Sequence, residues 1–292
     1  MASSITARVH HPDTPIIWLC PQELPHALTL MVSQVIGGDF RVIVCNTERD
    51  EPAFQSRWLK IDLSEIIADQ CFVYLDSDIL VKGKLTGLFS TGKALSACRN
   101  VDAPNGQDSG WHNKAFFNPL GWTVPPRPLV NSGVMVYSKA YDFSIFRSRW
   151  KELWSEQVRI LGKFQDQPAL NLAKEVLGAD FGLLPDTYNN QLLHYTNVRL
   201  DARVHHFLGT EVSPIVRALS PFIERDPQKI ETERFVRKYR KLARRAYPFQ
   251  ATPRGIALLV KERRFRWLIQ LLSRGRCFCR RGPTTQMEMR SG

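Results

Sequence analysis

CFVYLDSDIL, residues 71 to 80, is apolar almost throughout, and its polar residues are Asp76, Ser77 and Asp78. The first half has the aromatic and β-branched content of a strand, without the polar alternation of one that faces water. In an extended chain residues i and i+2 point to the same side, so the two carboxylates can converge on one object. Two anions held that close repel and desolvate badly unless a cation lies between them. An oxygen-preferring divalent ion, Mn2+ or Mg2+, suits the pair. Ligands of open α/β sheets bind beyond the carboxyl ends of strands, where this pair falls. The alternative is a polar strand end with one Asp capping a turn.

Working outward, IIWLC (16–20), RVIVCN (41–46), ALSACR (94–99) and VNSGVMVYS (130–138) also read as strands. PHALTLMVSQVI (25–36) and DLSEIIADQ (62–70) have helical spacing between them, and FSIFRSRWKELWSEQVRIL (143–161) reads as a long amphipathic helix. Strand–helix alternation with apolar strands predicts an α/β, Rossmann-like domain around a mostly parallel sheet. The Gly-, Pro- and Asn-rich stretch 100–128 is too long for an idle connection. It reads as a substrate-side loop or as a partly disordered insertion.

The 292 residues carry a formal charge of +12, and its location matters. Residues 231–292 hold 17 Lys/Arg against 4 Asp/Glu, a net of +13, which leaves residues 1–230 at −1. The expected organisation is a globular domain over 14–230 and a basic tail over 231–292. Within that tail 233–247 and 256–276 can form amphipathic helices with Phe, Trp and Leu opposite a cationic face. Such a tail seeks an anionic membrane or a nucleic acid. The near-neutral body shows no nucleic-acid reading motif, so no nucleic acid is expected as a partner. The first residues contain no apolar signal core, and no run of about 18 apolar residues predicts a membrane span. Cys20, Cys45, Cys71 and Cys98 lie in or beside strand-like runs and read as buried free thiols of a reducing compartment. Cys277 and Cys279 form a C-x-C pair with no further ligand nearby, which argues against zinc.

Four further segments carry chemistry. Asn131-Ser132-Gly133 places small polar residues ahead of an apolar strand, and FQDQPALN (164–171) presents Asp166 and Gln167 before a helix-like run. LPDTYNNQ (184–191) is a Pro-led turn followed by polar side chains, and VHHFLGT (204–210) offers His205 and His206 at a strand end. In this order and spacing, YLDSDIL, NSGVMVY, FQDQPALN, LPDTYNNQ and VHHFLGT resemble glycosyltransferase family 8 over roughly residues 14–215. That family includes glycogenin and the lipopolysaccharide galactosyl- and glucosyltransferases.

The resemblance implies a GT-A fold, a nucleotide-sugar donor (UDP-sugar in most members), Mn2+ and retention of anomeric configuration. It places Asp76, Asp78 and His206 on the metal, His206 rather than His205 because it precedes Phe207 in the H-F-x-G pattern. Gly209 would let the backbone approach the phosphates. Asn131 and Ser132 would line the donor sugar, and Asp166 and Gln167 would lie beside it at the reacting centre. Lys60, sixteen residues before Asp76, matches a basic position upstream of the D-x-D; its other reading is a solvated helix charge. The expected acceptor is a glycan or lipid-linked sugar, with the enzyme cytoplasmic and peripheral at the inner face of a membrane.

Two stretches depart from the pattern. HFLGTEVSPIV lacks the Lys-Pro-Trp that helps bind the diphosphate, and LCPQELPHA replaces a Thr- or Asp-containing loop that meets the base. Lys60 or a tail residue could supply the lost phosphate contact, and Gln22 the base contact. The same gaps leave open a catalytically degenerate member that binds sugar or a partner.

Overall fold

A computed structural model of the chain describes residues 2–69, 71–100, 114–138, 141–192, 199 and 201–208, with Arg237, Arg240, Ala243 and Arg244. The chain divides into two compact units, Met1–Ala246 and Tyr247–Gly292, and the architecture below belongs to the first. The basic helices expected at 233–247 and 256–276 fall almost wholly outside the described residues, as do Cys277, Cys279 and Gly209.

Nine strands and seven α-helices are described. In chain order they are α1 (Ala2–His10), β1 (Ile16–Cys20), α2 (His26–Ile36), β2 (Phe40–Val44), α3 (Pro52–Ile61), α4 (Leu63–Ile66), β3 (Cys71–Leu75) and β4 (Ile79–Val81). Then come β5 (Leu95–Arg99), α5 (Lys114–Phe117), β6 (Val130–Ser138), α6 (Ser144–Leu161), α7 (Gln167–Ala173), β7 (Phe181–Leu184), β8 (Asn190–Leu192) and β9 (Val204–Phe207). The strands group as β1-β2, β3-β6-β5-β7 and β4-β9-β8.

The α/β class is as the alternation predicts, but the sheet is mixed rather than mostly parallel. β1–β2, β5–β7 and β8–β9 pair parallel, whereas β3–β6, β5–β6 and β4–β9 pair antiparallel. The reason is that unbroken apolar character reports burial on both faces, which an antiparallel strand inside a layered fold shares. β6 is such a strand, buried from Val130 to Tyr137.

The main core lies between this sheet and α6. Phe146, Trp150, Leu153, Trp154 and Val158 form the buried stripe of α6 at helical spacing, and they pack with Leu95, Met135 and Tyr137. α6 ends at Gly162, whose φ of 63° is left-handed and whose N–H bonds Val158 O. Phe116, Phe117, Leu120 and Leu129 form a smaller cluster, so the described half of the 100–128 stretch is packed structure rather than a loose insertion.

Besides the short α5, two helices have no counterpart in the sequence reading. α1 packs on β4: Thr6 Oγ1 accepts the Val81 N–H at 3.1 Å, and Ser4 Oγ accepts the Trp18 indole N–H at 2.8 Å. Its last turn is tied by Arg8, which donates to the carbonyls of Pro12, Thr14 and Asp39 at 2.6–2.8 Å. α3 begins with a proline in its first turn, where a missing N–H costs nothing, and ends with Lys60 turned inward. Of the strand cysteines, Cys20 and Cys98 are buried as expected, but Cys71 is exposed because it opens β3 at the rim of the sheet.

Candidate active site

The chain leaves β3 at Leu75, turns through Asp76-Ser77-Asp78 and enters β4. A different strand pins each Asp backbone. The Asp76 N–H donates to Gly133 O of β6 at 2.9 Å, and Asp78 O accepts the Phe207 N–H of β9 at 3.0 Å. The antiparallel β4–β9 register sets His206 opposite Ile79, beside Asp78. As a result His206 Nε2 lies 3.2 Å from Asp78 Oδ1 and 3.7 Å from Asp76 Oδ2.

These spacings fit one divalent ion. Ligands bound at about 2.1 Å in neighbouring octahedral positions are about 3 Å apart. One ligand atom from each of Asp76, Asp78 and His206 lies within 4.8 Å of the other two. An imidazole with two carboxylates favours a first-row transition ion such as Mn2+ over Mg2+. Asp76 offers only Oδ2, because Oδ1 accepts from the Tyr74 hydroxyl at 2.5 Å and from Lys60 Nζ at 2.9 Å. Burial and the Asp76 charge hold the Tyr74 phenol well above its ordinary pKa, so it stays a donor. Burial pushes Asp78 up, but the His206 hydrogen bond and charge outweigh it and the carboxyl sits below its ordinary value. His205, its neighbour, points into the interior; its Nδ1 meets Asn190 Oδ1 at 3.0 Å, and burial with Lys82 lowers its pKa to about 3.

Lys60 is the second pole of the site. Its ammonium, buried at 4% exposure, lies 2.9 Å from Asp76, 3.4 Å from Asp166 Oδ2 and 3.2 Å from Ser132 Oγ. Burial works against that charge, but the Asp166 and Asp76 carboxylates prevail and its pKa is raised. Lys60 is therefore neither a solvated helix charge nor a free cation; it ties the metal-side carboxylate to Asp166. One turn earlier on α3, Arg57 Nε lies 3.9 Å from Asp166 Oδ1.

α6 fixes the segment that carries Asp166. The Trp150 indole donates to Asp166 O at 3.2 Å, and the Trp154 indole donates to Phe164 O at 3.1 Å. The Gln157 amide donates to Lys163 O and Gln165 O at 2.8 and 2.6 Å. Four successive carbonyls are thus held by one helix, which sets Asp166 just before α7 and Gln167 half-buried at its first position.

Asp76, Asp78, His206, Lys60, Ser132 and Asp166 come together as one constellation. Asn131 reaches it differently. Its side chain is buried, its Oδ1 accepts from the Gly133 N–H and from Asn189 Nδ2, both at 2.8 Å, and its Nδ2 meets Asn100 at 3.4 Å. Between β5 and β6 the register shifts after Ala97, so Ser132, Gly133 and Val134 have no partner on β5. A bulge of this kind re-aims side chains at the rim of a sheet. Gln22 lies exposed just past β1. Sequence reasoning missed Arg57, Tyr74 and Asn189. Tyr74 and Asn189 stood inside quoted motifs, Tyr74 as one of a strand's apolar residues and Asn189 with partners distant in sequence.

The chain has a GT-A fold. No protein-family model matches the sequence, and no curated protein is similar to it at sequence level. Among solved structures it is similar to the galactosyltransferase LgtC in complex with donor and acceptor sugar analogues, with a TM-score of 0.55 and 19% identity. That match covers 82% of this chain and 90% of that one. It is also similar to the glycosyltransferase GlyE of Streptococcus pneumoniae, at a TM-score of 0.52, 16% identity, and coverage of 86% and 62% respectively. For the bifunctional glycosyltransferase WbbM the values are 0.51, 13%, 79% and 48%.

Proposed function

We propose that the chain is a metal-dependent retaining glycosyltransferase that moves a hexose from a nucleotide sugar, a UDP-sugar, to a glycan or lipid-linked acceptor. The observation that carries this reading is the convergence of Asp76, Asp78 and His206 on one point at the end of β3, with Lys60 and Asp166 beside it. Asp76 Oδ2, Asp78 and His206 Nε2 would hold Mn2+, which when bound acts as a Lewis acid on the charge developing on the departing diphosphate.

The protein's own groups organise the other end. Asp166 lies against both Lys60 and Arg57, which suits it to orient the donor sugar. Gln167, next along, presents an amide dipole that can face an oxocarbenium-like centre. The +13 tail would hold the enzyme at an anionic membrane surface where a lipid-linked acceptor resides. Gly209 would let the backbone approach the phosphates.

A screen of nucleotide-sugar donors for release of nucleoside diphosphate tests the assignment. We expect Mn2+-dependent turnover, lowered by at least about a hundredfold in Asp78→Ala. Binding of a nucleotide sugar without turnover would favour the degenerate reading, which the missing Lys-Pro-Trp supports. Absence of both binding and turnover would remove the enzyme reading.

A further inference from the structure

A chain of hydrogen bonds fixes which nitrogen of His206 faces the carboxylates. It starts at the Gly133 N–H, which can only donate and meets the Asn131 side chain at 2.8 Å. That contact identifies the Asn131 atom as the carbonyl oxygen. The same oxygen is 2.8 Å from the Asn189 amide, so Asn189 must present its NH2 there. Asn189 Oδ1 is then the atom 3.1 Å from His206 Nδ1. An oxygen acceptor requires a proton on Nδ1, so Nε2, which faces Asp78 and Asp76 and hydrogen-bonds Asp78 while no ion is bound, is the nitrogen available to a cation. The opposite neutral tautomer would set two acceptors against each other inside a site where Asn131, Asn189 and His206 are all buried.

The fit of the ring to the backbone closes the device. A Cβ on Gly133 would overlap the His206 ring at Cε1 and Nδ1, so the imidazole lies flush against the glycine that begins the relay. The glycine serves a protein side chain.

We propose that Asn189 is a positioning residue of the cation site: held by Asn131 and the Gly133 N–H, it locks His206 in the Nδ1–H tautomer and aims Nε2 at the ion. Asn131 is thereby a tautomer-setting residue, with its amide committed to protein partners. The inference rests on the reading of Asp76, Asp78 and His206 as a cation site. Outer partners of this kind typically change metal affinity by about 10- to 100-fold when removed.

The test uses the full-length protein and Mn2+ alone. Free Mn2+ is titrated by electron paramagnetic resonance, and the ring-nitrogen 15N signals of His206, assigned with His206→Ala, are read in Mg2+. Wild type is expected to bind Mn2+ and to show a protonated Nδ1 with an unprotonated Nε2. Asn189→Leu should lose about 10- to 100-fold in Mn2+ affinity and give up the Nδ1–H signature. Asn189→Asp, which keeps an acceptor for Nδ1, should retain that signature. If the leucine variant does not fold, Asn189→Ser, too short to reach Nδ1, supplies the same comparison. Wild type with its proton on Nε2, or variants lacking the acceptor that match wild-type affinity within twofold, would overturn the proposal. Wild type that binds no Mn2+ would instead remove the cation reading and this inference with it.

Discussion

Lys60 and a divalent ion would share one carboxylate. The ammonium holds Asp76 Oδ1 at 2.9 Å, leaving Oδ2 for the metal side. Taking away a buried partner of this sort typically costs about 3 kcal/mol, because the remaining charge is left uncompensated. Lys60→Met is therefore expected to lower thermal stability by about that amount and to gain more from added Mn2+ than wild type does. Equal Mn2+-induced shifts in melting temperature would show that the two cations act independently. Gly133→Ala makes a complementary prediction. Its Cβ would displace the His206 ring, so Mn2+ affinity should fall by about a hundredfold or more, read by titration calorimetry. At this scale the sequence was most legible for ligand types. Asp76, Asp78 and His206 could be picked out because their chemistry is local to a motif. Asn189 could not, since its meaning depends on Asn131, 58 positions away, and on a ring 17 positions ahead.

Among the elements, α6 was readable from its apolar period, but its polar work was not. Trp150, Trp154 and Gln157 belong to the same buried stripe as the core and use their N–H groups on the 163–166 backbone. α1 was not readable at all. ASSITARVH has weak apolar content, and its docking relies on the Ser3, Ser4 and Thr6 hydroxyls and on His11, just past the helix end. The His11 contact is pH-sensitive. Its Nε2 accepts the Leu85 N–H at 2.9 Å, and burial, with the charges of His10 and Lys84, lowers the His11 pKa. Below about pH 6.5 the unfolded chain takes up this proton before the native state does, so the contribution is present above that pH and fades beneath it. The melting temperature should therefore fall between pH 7.5 and 5.5, and less steeply in His11→Gln, whose amide oxygen accepts without titrating. Parallel slopes would assign the acid sensitivity to other groups. Strand direction was the other illegible property, because β3, β5 and β6 read alike whichever way they pair.

For the whole molecule the decisive property is the separation of charge, with residues 1–230 at −1 and residues 231–292 at +13. The interleaving of Arg and Lys with Phe, Trp and Leu in 256–276 makes the proposed attachment through the tail electrostatic and interfacial. Attraction of about 1 kcal/mol per well-placed Lys or Arg, screened beyond about 8 Å at physiological salt, gives a checkable signature. The full-length protein should sediment with vesicles containing phosphatidylserine at low salt and be released at high salt. Replacing Arg263, Arg264 and Arg266 with Gln should weaken this by an order of magnitude or more. Salt-insensitive binding, or none, would sink the anchoring proposal. The antiparallel pairing of β4 with β9 also sets a timetable for synthesis. Asp78 waits for a strand that ends at Phe207, so a ribosome must polymerise nearly 130 further residues before the Asp76, Asp78 and His206 cluster can form. The whole basic segment, 231–292, follows that strand in the chain. The growing polypeptide thus receives every residue of the Asp76, Asp78 and His206 cluster before the first residue of the segment proposed to seek the membrane.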